Sequence, residues 1–330
     1  MLYGLLLSDK INSLYSAQID AIASKIDVPI KRLRLSQLTN APPDLRGAFF
    51  SRDLYEGSTL NQPGELSNQF FALVDQAPKL SWLHVCTAGT DLPQYAPTKS
   101  REIALTSSKG VTALPIAQSV LAAVLAHARG FPHWLQAQRE RRWEPLSLAS
   151  APKPIAGQKV LLIGAGAIGS EIAKLLSLVG FEVTALRKNP KKGGVYLDQV
   201  FSITELDRLL PLADWLVLAA PLTSETHGLI NRSRIFKMPK GARVVNISRG
   251  SLIDEQALIS ALEEGHIGGA YLDTFTVEPL PETSKLWWLP NVWISPHNCA
   301  ASQGHEEKVV QLFLKQLEKQ LLYFKEVNRE

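Results

Sequence analysis

Short apolar runs recur along this chain with helix-period segments between most of them, and that alternation predicts a parallel α/β architecture. Runs at 2–7, 28–35, 47–50, 82–85 and 103–105, each bounded by turn residues, predict strands in the first third. The pattern resumes at 160–163, 181–186, 215–219, 243–247, 269–272 and 292–294. Helices are expected over 13–26 and over 114–128, an Ala/Leu segment with an apolar face wide enough to be buried. The segment 302–324 is amphipathic, with Val309, Leu312, Phe313 and Leu317 near helical spacing. The stretch 131–154 breaks the pattern. It carries Trp134, Trp143, the basic residues Arg139, Arg141 and Arg142, and a tract rich in Ser, Ala and Pro, which predicts an exposed arm or linker.

A length of 330 residues exceeds what one hydrophobic core usually serves, so two domains are expected. Apolar residues make up 45% and charged residues 20%, the balance of an ordinary globular protein. The first residues lack the basic leader and long apolar core of a signal peptide, and no apolar run approaches the roughly 18 residues of a membrane span. Two cysteines, Cys86 and Cys299, are too few for a disulfide framework and fit a reducing cytoplasm. The net charge of +4 is mild, and no long block of one sign suggests a nucleic-acid tail.

The first candidate chemistry is a glycine-rich turn. The run at 160–163 leads directly into GAGAIG at 164–169 and then into a helical pattern at 170–179. A strand, this turn and a helix in succession form the context in which G-x-G-x-x-G binds a dinucleotide. Gly164 permits the tight turn, Gly166 leaves room for a pyrophosphate, and Gly169 lets helix and strand pack closely. The helix start at Ala167, Ile168 and Gly169 offers free N–H groups to the anion. Where an NAD site would carry an acidic residue at the end of the second strand, this chain has Arg187 and Lys188. A guanidinium there can bind a 2′-phosphate through paired donors, which points to NADP over NAD. Lys191 and Lys192 add to the local positive charge.

Downstream lie APLTSETHGLI at 220–230, VVNISRGSLID at 244–254, LDTFTVEPLP at 272–281 and SPHNCAAS at 295–302. With the glycine turn, and in this order, they resemble the D-isomer-specific 2-hydroxyacid dehydrogenase family, and within it the glyoxylate/hydroxypyruvate reductases. The resemblance is strong from about 114 to 302 and looser before that, where it rests on AGTD at 88–91. It implies two doubly wound parallel-sheet domains, Rossmann- and flavodoxin-like, with the active site in a cleft between them. The substrate domain would be discontinuous, 1–113 plus 300–330, and the NAD(P) domain would span 114–299.

The same resemblance assigns roles. Arg249 is expected to grip the substrate carboxylate, His297 to act as acid/base, and Glu278 to pair with His297. Ala220, Pro221, Thr226 and Asp273 would lie along the cofactor, and backbone N–H groups of Ala88, Gly89 and Thr90 would meet the substrate carboxylate. No metal is required. The implied reaction is reduction of a small 2-oxo acid to the D-2-hydroxy acid with NADPH or NADH, in a cytoplasmic homodimer that binds neither nucleic acid nor membrane. The arm at 131–154 resembles the segment through which such enzymes dimerise. Gln118 departs from the glutamate many relatives carry, outside the three catalytic roles. Trp287 and Trp288 fit either the substrate mouth or core packing. The alternative is a non-enzymatic NAD(H)-sensing protein on the same scaffold, since such proteins can keep the three catalytic residues.

Overall fold

The computed structural model describes residues 1–58, 63–148, 151–190, 197 and 199–328. The chain divides into two compact units, Met1–Val111 with Ser302–Glu330, and Thr112–Ala301. Lys191 and Lys192 lie outside the described residues.

The first unit holds five parallel strands, β1 (Tyr3–Leu7), β2 (Ile30–Arg34), β3 (Leu45–Phe50), β4 (Trp82–Val85) and β5 (Ala104–Ser107). Their order is β2-β1-β3-β4-β5, the flavodoxin-like doubly wound arrangement. Every residue of β1 and β4 is buried, as parallel strands covered on both faces require. The helix Asp9–Ile26 starts a turn before the predicted 13, because the Ser8 hydroxyl accepts the Ile11 N–H at 3.1 Å and caps it. The helix His305–Val327 belongs to this unit. Its Phe313 stacks on Phe49 with ring centroids 4.1 Å apart and lies parallel to Trp82. Burying one such ring contributes about 1.5–3 kcal/mol. The partly exposed pairs Lys10–Glu306 and Lys25–Glu318 contribute about 0–1 kcal/mol each, so packing dominates the docking of this helix.

The second unit holds seven parallel strands, β6 (Lys159–Ile163), β7 (Glu182–Arg187), β8 (Gln199–Ser202), β9 (Trp215–Leu218), β10 (Ala242–Asn246), β11 (Ile267–Leu272) and β12 (Val292–Ile294). The order is β12-β11-β10-β9-β6-β7-β8. Counted from β6, this is the Rossmann order 3-2-1-4-5-6 with one strand added beyond the sixth, and the order reverses between β6 and β9. Such sheets bind ligands beyond the carboxyl ends of their strands at that reversal. β6 and β9 deliver the glycine turn and the 220–230 loop there. Arg249, Asp273 and His297 follow β10, β11 and β12 on the same sheet edge.

β8 and the arm also differ from expectation. β8 is absent from the predicted strands, yet it pairs with β7 from Thr184↔Gln199 to Arg187↔Ser202. The arm opens with a helix, Phe131–Arg139, which has proline in its first turn and buries only Ala137. Beyond that helix Trp143 and Leu148 are exposed, Trp143 at 98%. Among the described residues, no single helix is long and apolar enough to cross a membrane. Cys86 and Cys299 are both free and buried.

Candidate active site

The glycine turn is shaped by three close approaches. Gly164 has φ +100°, and a Cβ on it would lie 2.6 Å from Ala220 N. Its N–H donates to Leu186 O at 2.8 Å, and Ala219 N–H donates to Ile163 O at 2.8 Å, so β6, β7 and β9 converge at the turn. A Cβ on Gly169 would lie 1.9 Å from Gly164 O, which fixes the helix tightly against the strand. At Gly166, by contrast, an added Cβ would meet nothing within 4 Å. The space is open on the side where a pyrophosphate is expected. The helix Ala167–Leu178 begins three residues before the predicted 170 and has no acidic residue in its first turn. The N–H groups of Ala167, Ile168 and Gly169 have no intrahelical acceptor, and no carboxylate in the first turn offsets the helix dipole. These residues fit a dinucleotide.

Arg187 is the last residue of β7 rather than the first beyond it, and it is partly buried. Lys188 is engaged: its Nζ lies 2.7 Å from Glu225 Oε1. Thr226 uses its hydroxyl inside its own loop, donating to Pro221 O at 2.7 Å and accepting the Thr223 N–H at 2.8 Å. These bonds hold the loop that follows Ala220.

The catalytic candidates are assembled by the loops after β10, β11 and β12. Asn246 closes β10 and is fully buried. Its Oδ1 accepts the Ser248 N–H at 3.0 Å and the Ser248 hydroxyl at 2.7 Å, while its Nδ2 donates to Arg249 O at 3.1 Å. The turn carrying Arg249 is thereby fixed, and Arg249 Nη1 donates to Ser248 O at 2.7 Å. Gly250 then allows a close approach between loops, since a Cβ there would lie 1.9 Å from the Phe275 carbonyl carbon. That contact brings the Arg249 turn against the segment leading to Glu278.

Asp273 follows β11 and is 2% exposed. Its Oδ1 accepts from Ser295 Oγ at 2.5 Å, Asn298 N at 2.9 Å and Cys299 N at 3.0 Å, and its carbonyl accepts the His297 N–H at 2.8 Å. Asp273 is thus a clamp on the segment carrying His297, a role its expected place beside the cofactor did not reveal. His297 sits at φ +51°, a conformation uncommon for residues other than glycine, and the clamp holds it there. Burial, then the neighbouring Asp273 carboxylate, push the Cys299 thiol well above its ordinary pKa and keep it protonated.

His297 Nδ1 lies 2.8 Å from Glu278 Oε2, and Glu278 Oε1 accepts the Phe275 N–H at 3.0 Å. The histidine side chain is 35% exposed and the glutamate 12%. Burial raises the Glu278 carboxyl's pKa. The hydrogen bond and charge of His297, the Phe275 N–H and the Arg249 charge outweigh it, so the net position is below the ordinary glutamate value. Glu278 is therefore a dependable anion at neutral pH, set to orient the ring through Nδ1.

Ala88, Gly89 and Thr90 follow β4 in the first unit. Thr87 Oγ1 donates to Gly89 O at 2.8 Å, and Lys99 Nζ donates to Thr90 O at 2.8 Å, so the carbonyls of this loop are tied back. Trp287 and Trp288 are both exposed, and the buried member of that stretch is Leu286. Asn246, Ser295 and Glu225 were not singled out from sequence. The only signal for Asn246 was a polar residue ending an otherwise apolar strand.

The sequence pattern of the D-isomer specific 2-hydroxyacid dehydrogenase NAD binding domain matches residues 121–299. A glyoxylate reductase of Pyrococcus horikoshii is 34% identical over 249 residues, 74% of this chain and 74% of that protein. Glyoxylate/hydroxypyruvate reductase B of Erwinia tasmaniensis is 33% identical over 252 residues, 76% of each chain. A D-isomer specific 2-hydroxyacid dehydrogenase of Xanthobacter autotrophicus, solved in complex with NADPH and MES, superposes with a TM-score of 0.73 at 28% identity, covering 96% of this chain and 95% of that one. With the paired His297 and Glu278 and the glycine turn on one edge of a Rossmann sheet, these matches establish that the chain belongs to the D-isomer-specific 2-hydroxyacid dehydrogenase family, whose members are NAD(P)-dependent oxidoreductases.

Proposed function

We propose that this enzyme reduces short, unbranched 2-oxo acids of the glyoxylate and hydroxypyruvate type to the D-2-hydroxy acid, with NADPH preferred over NADH. The observation that carries the reading is the 2.8 Å contact between His297 Nδ1 and the ionised Glu278. With Nδ1 engaged, Nε2 is left to face a substrate oxygen. A nicotinamide dinucleotide, when bound, would supply the hydride for the carbonyl carbon. Arg249 binds the substrate carboxylate through its planar fork and polarises the carbonyl. Imidazolium His297 gives its proton to the carbonyl oxygen as negative charge develops there, and takes it back from the hydroxyl in the oxidising direction. Glu278 stabilises the charged ring and stays ionised throughout. Asp273 and Asn246 keep His297 and Arg249 in place.

In the same reading, the residues that would hold the cofactor are Gly164, Gly166, Ala167, Ile168, Gly169, Ala220 and Pro221, with Arg187 placed for its 2′-phosphate. The assignment of substrate and cofactor is supported by the glyoxylate and hydroxypyruvate reductases among the relatives and by the NADPH held by the Xanthobacter protein. The exposed Trp134 and Trp143 support a homodimer formed through the arm. The two free thiols fit a cytoplasmic setting. A panel of glyoxylate, hydroxypyruvate, pyruvate and phenylpyruvate, assayed with NADPH and with chiral analysis of products, tests the proposal. The first two should give the highest kcat/KM, and chiral products should have the D configuration. Preference for phenylpyruvate, L products, or no turnover would overturn it.

A further inference from the structure

β7 and β9 flank β6, and the glycine turn lies where the three strands end. Lys188 stands just past β7 on one side, two residues beyond the Leu186 carbonyl that holds Gly164 N–H. The loop that opens at Ala220 stands on the other. Across this end of the sheet, Lys188 Nζ meets Glu225 Oε1 at 2.7 Å, with the two side chains 80% and 62% exposed. The backbone around Glu225 is held. Thr223 N–H donates to Thr226 Oγ1 at 2.8 Å, Thr226 N–H donates back to Thr223 Oγ1 at 3.2 Å, and Gly228 N–H donates to Ser251 O at 2.8 Å. The held backbone thus presents a carboxylate beside one of the two basic residues at the β7 end.

In sites of this strand order, an acid near the end of the second strand binds the ribose hydroxyls, whereas arginine accommodates a 2′-phosphate. Here the β7 end itself is basic, and the acid arrives from the loop after β9. We infer that Glu225 is a selectivity residue that limits the preference for the 2′-phosphorylated dinucleotide. Its carboxylate occupies Lys188 and adds a negative charge next to it. A phosphate dianion approaching Lys188 must either displace Glu225 or sit in its repulsive field, and both subtract from what the lysine contributes. A ribose with free hydroxyls carries no charge there and meets neither penalty. Arg187 then carries most of the discrimination.

The inference rests on the proposed NADPH preference, and binding measurements on the full chain separate the two. Dissociation constants for NADPH and NADH are to be measured by fluorescence titration for the wild type, Glu225→Gln, Lys188→Ala and the double variant. Glu225→Gln should tighten NADPH by about three- to fivefold and leave NADH within about twofold, as removal of one exposed charge allows. The gain should shrink as added salt shortens the Debye length from about 30 Å to under 10 Å. Lys188→Ala should weaken NADPH more in the Glu225→Gln background than in the wild type, because only there is the lysine released. Unchanged or weaker NADPH binding in Glu225→Gln, or an equal gain for NADH, would overturn the role given to Glu225. If the wild type binds NADPH no better than NADH while Glu225→Gln still shifts the ratio, the preference fails and Glu225 stands. If Arg187→Asp reverses the preference and Glu225→Gln does nothing, the preference stands and Glu225 fails.

Discussion

His297 and Lys188 both follow strands of one parallel sheet, yet the structure treats them in opposite ways. His297 is bound through its own N–H, through the Asp273 carboxylate that takes the next two N–H groups, and through Nδ1 to a mostly buried Glu278. Lys188 is a largely exposed chain whose partner among the described residues, Glu225, is itself exposed. Proton transfer needs a donor within hydrogen-bond reach of a particular atom, so the chemistry is placed where many bonds fix geometry. Cofactor choice needs only the sign and size of a local charge, so it sits where side chains move and salt screens. Such a division lets selectivity change by surface substitution without disturbing the proton donor.

The largest effect that separates the two regions is expected at the rigid one. His297→Ala should lower kcat for reduction by about 10²–10⁴-fold while NADPH binding stays within about twofold of the wild type, read from steady-state rates and a binding titration. A variant that keeps most of its turnover would remove His297 from the mechanism. Arg187→Asp acts on the other region and should be smaller. One charge-assisted hydrogen bond, about 1.5–3 kcal/mol, is worth roughly tenfold or more before screening, so the NADPH:NADH ratio of kcat/KM should fall by about that factor. Turnover with saturating NADH should persist. An unchanged ratio would show that the β7 end does not read the phosphate.

Much of this was legible in the sequence for a physical reason: strands covered on both faces must be apolar, and a pyrophosphate turn must be glycine. β1, β4, β6, β9 and β12 therefore appear in the sequence nearly where they lie. β8, only four residues long, was hidden because QVFS is half polar. The helix at Phe131–Arg139 was masked by the arginines and tryptophans around it, although Pro132 marks its start. Long-range polar contacts were the least legible. Lys188 and Glu225 are 37 positions apart, and nothing in either local pattern calls for the other. The clamp by Asp273 joins residues 22 to 26 positions apart and depends on the pairing of β11 with β12, which no periodicity states.

The central claim is that His297, held by an ionised Glu278, carries the proton in both directions. It is tested most directly by kcat/KM against pH for reduction and for oxidation on the same protein, from about pH 5 to 9. Reduction needs the protonated ring and oxidation the neutral one, so the two profiles should fall and rise through one shared titration. Glu278 lies below its ordinary value and stays charged across that range, so it should add no acid limb within it. In Glu278→Gln kcat/KM for reduction should fall across the whole range, because the carboxylate that orients the ring is gone. Profiles that are flat, that move together in the two directions, or that are unchanged in Glu278→Gln would contradict the account.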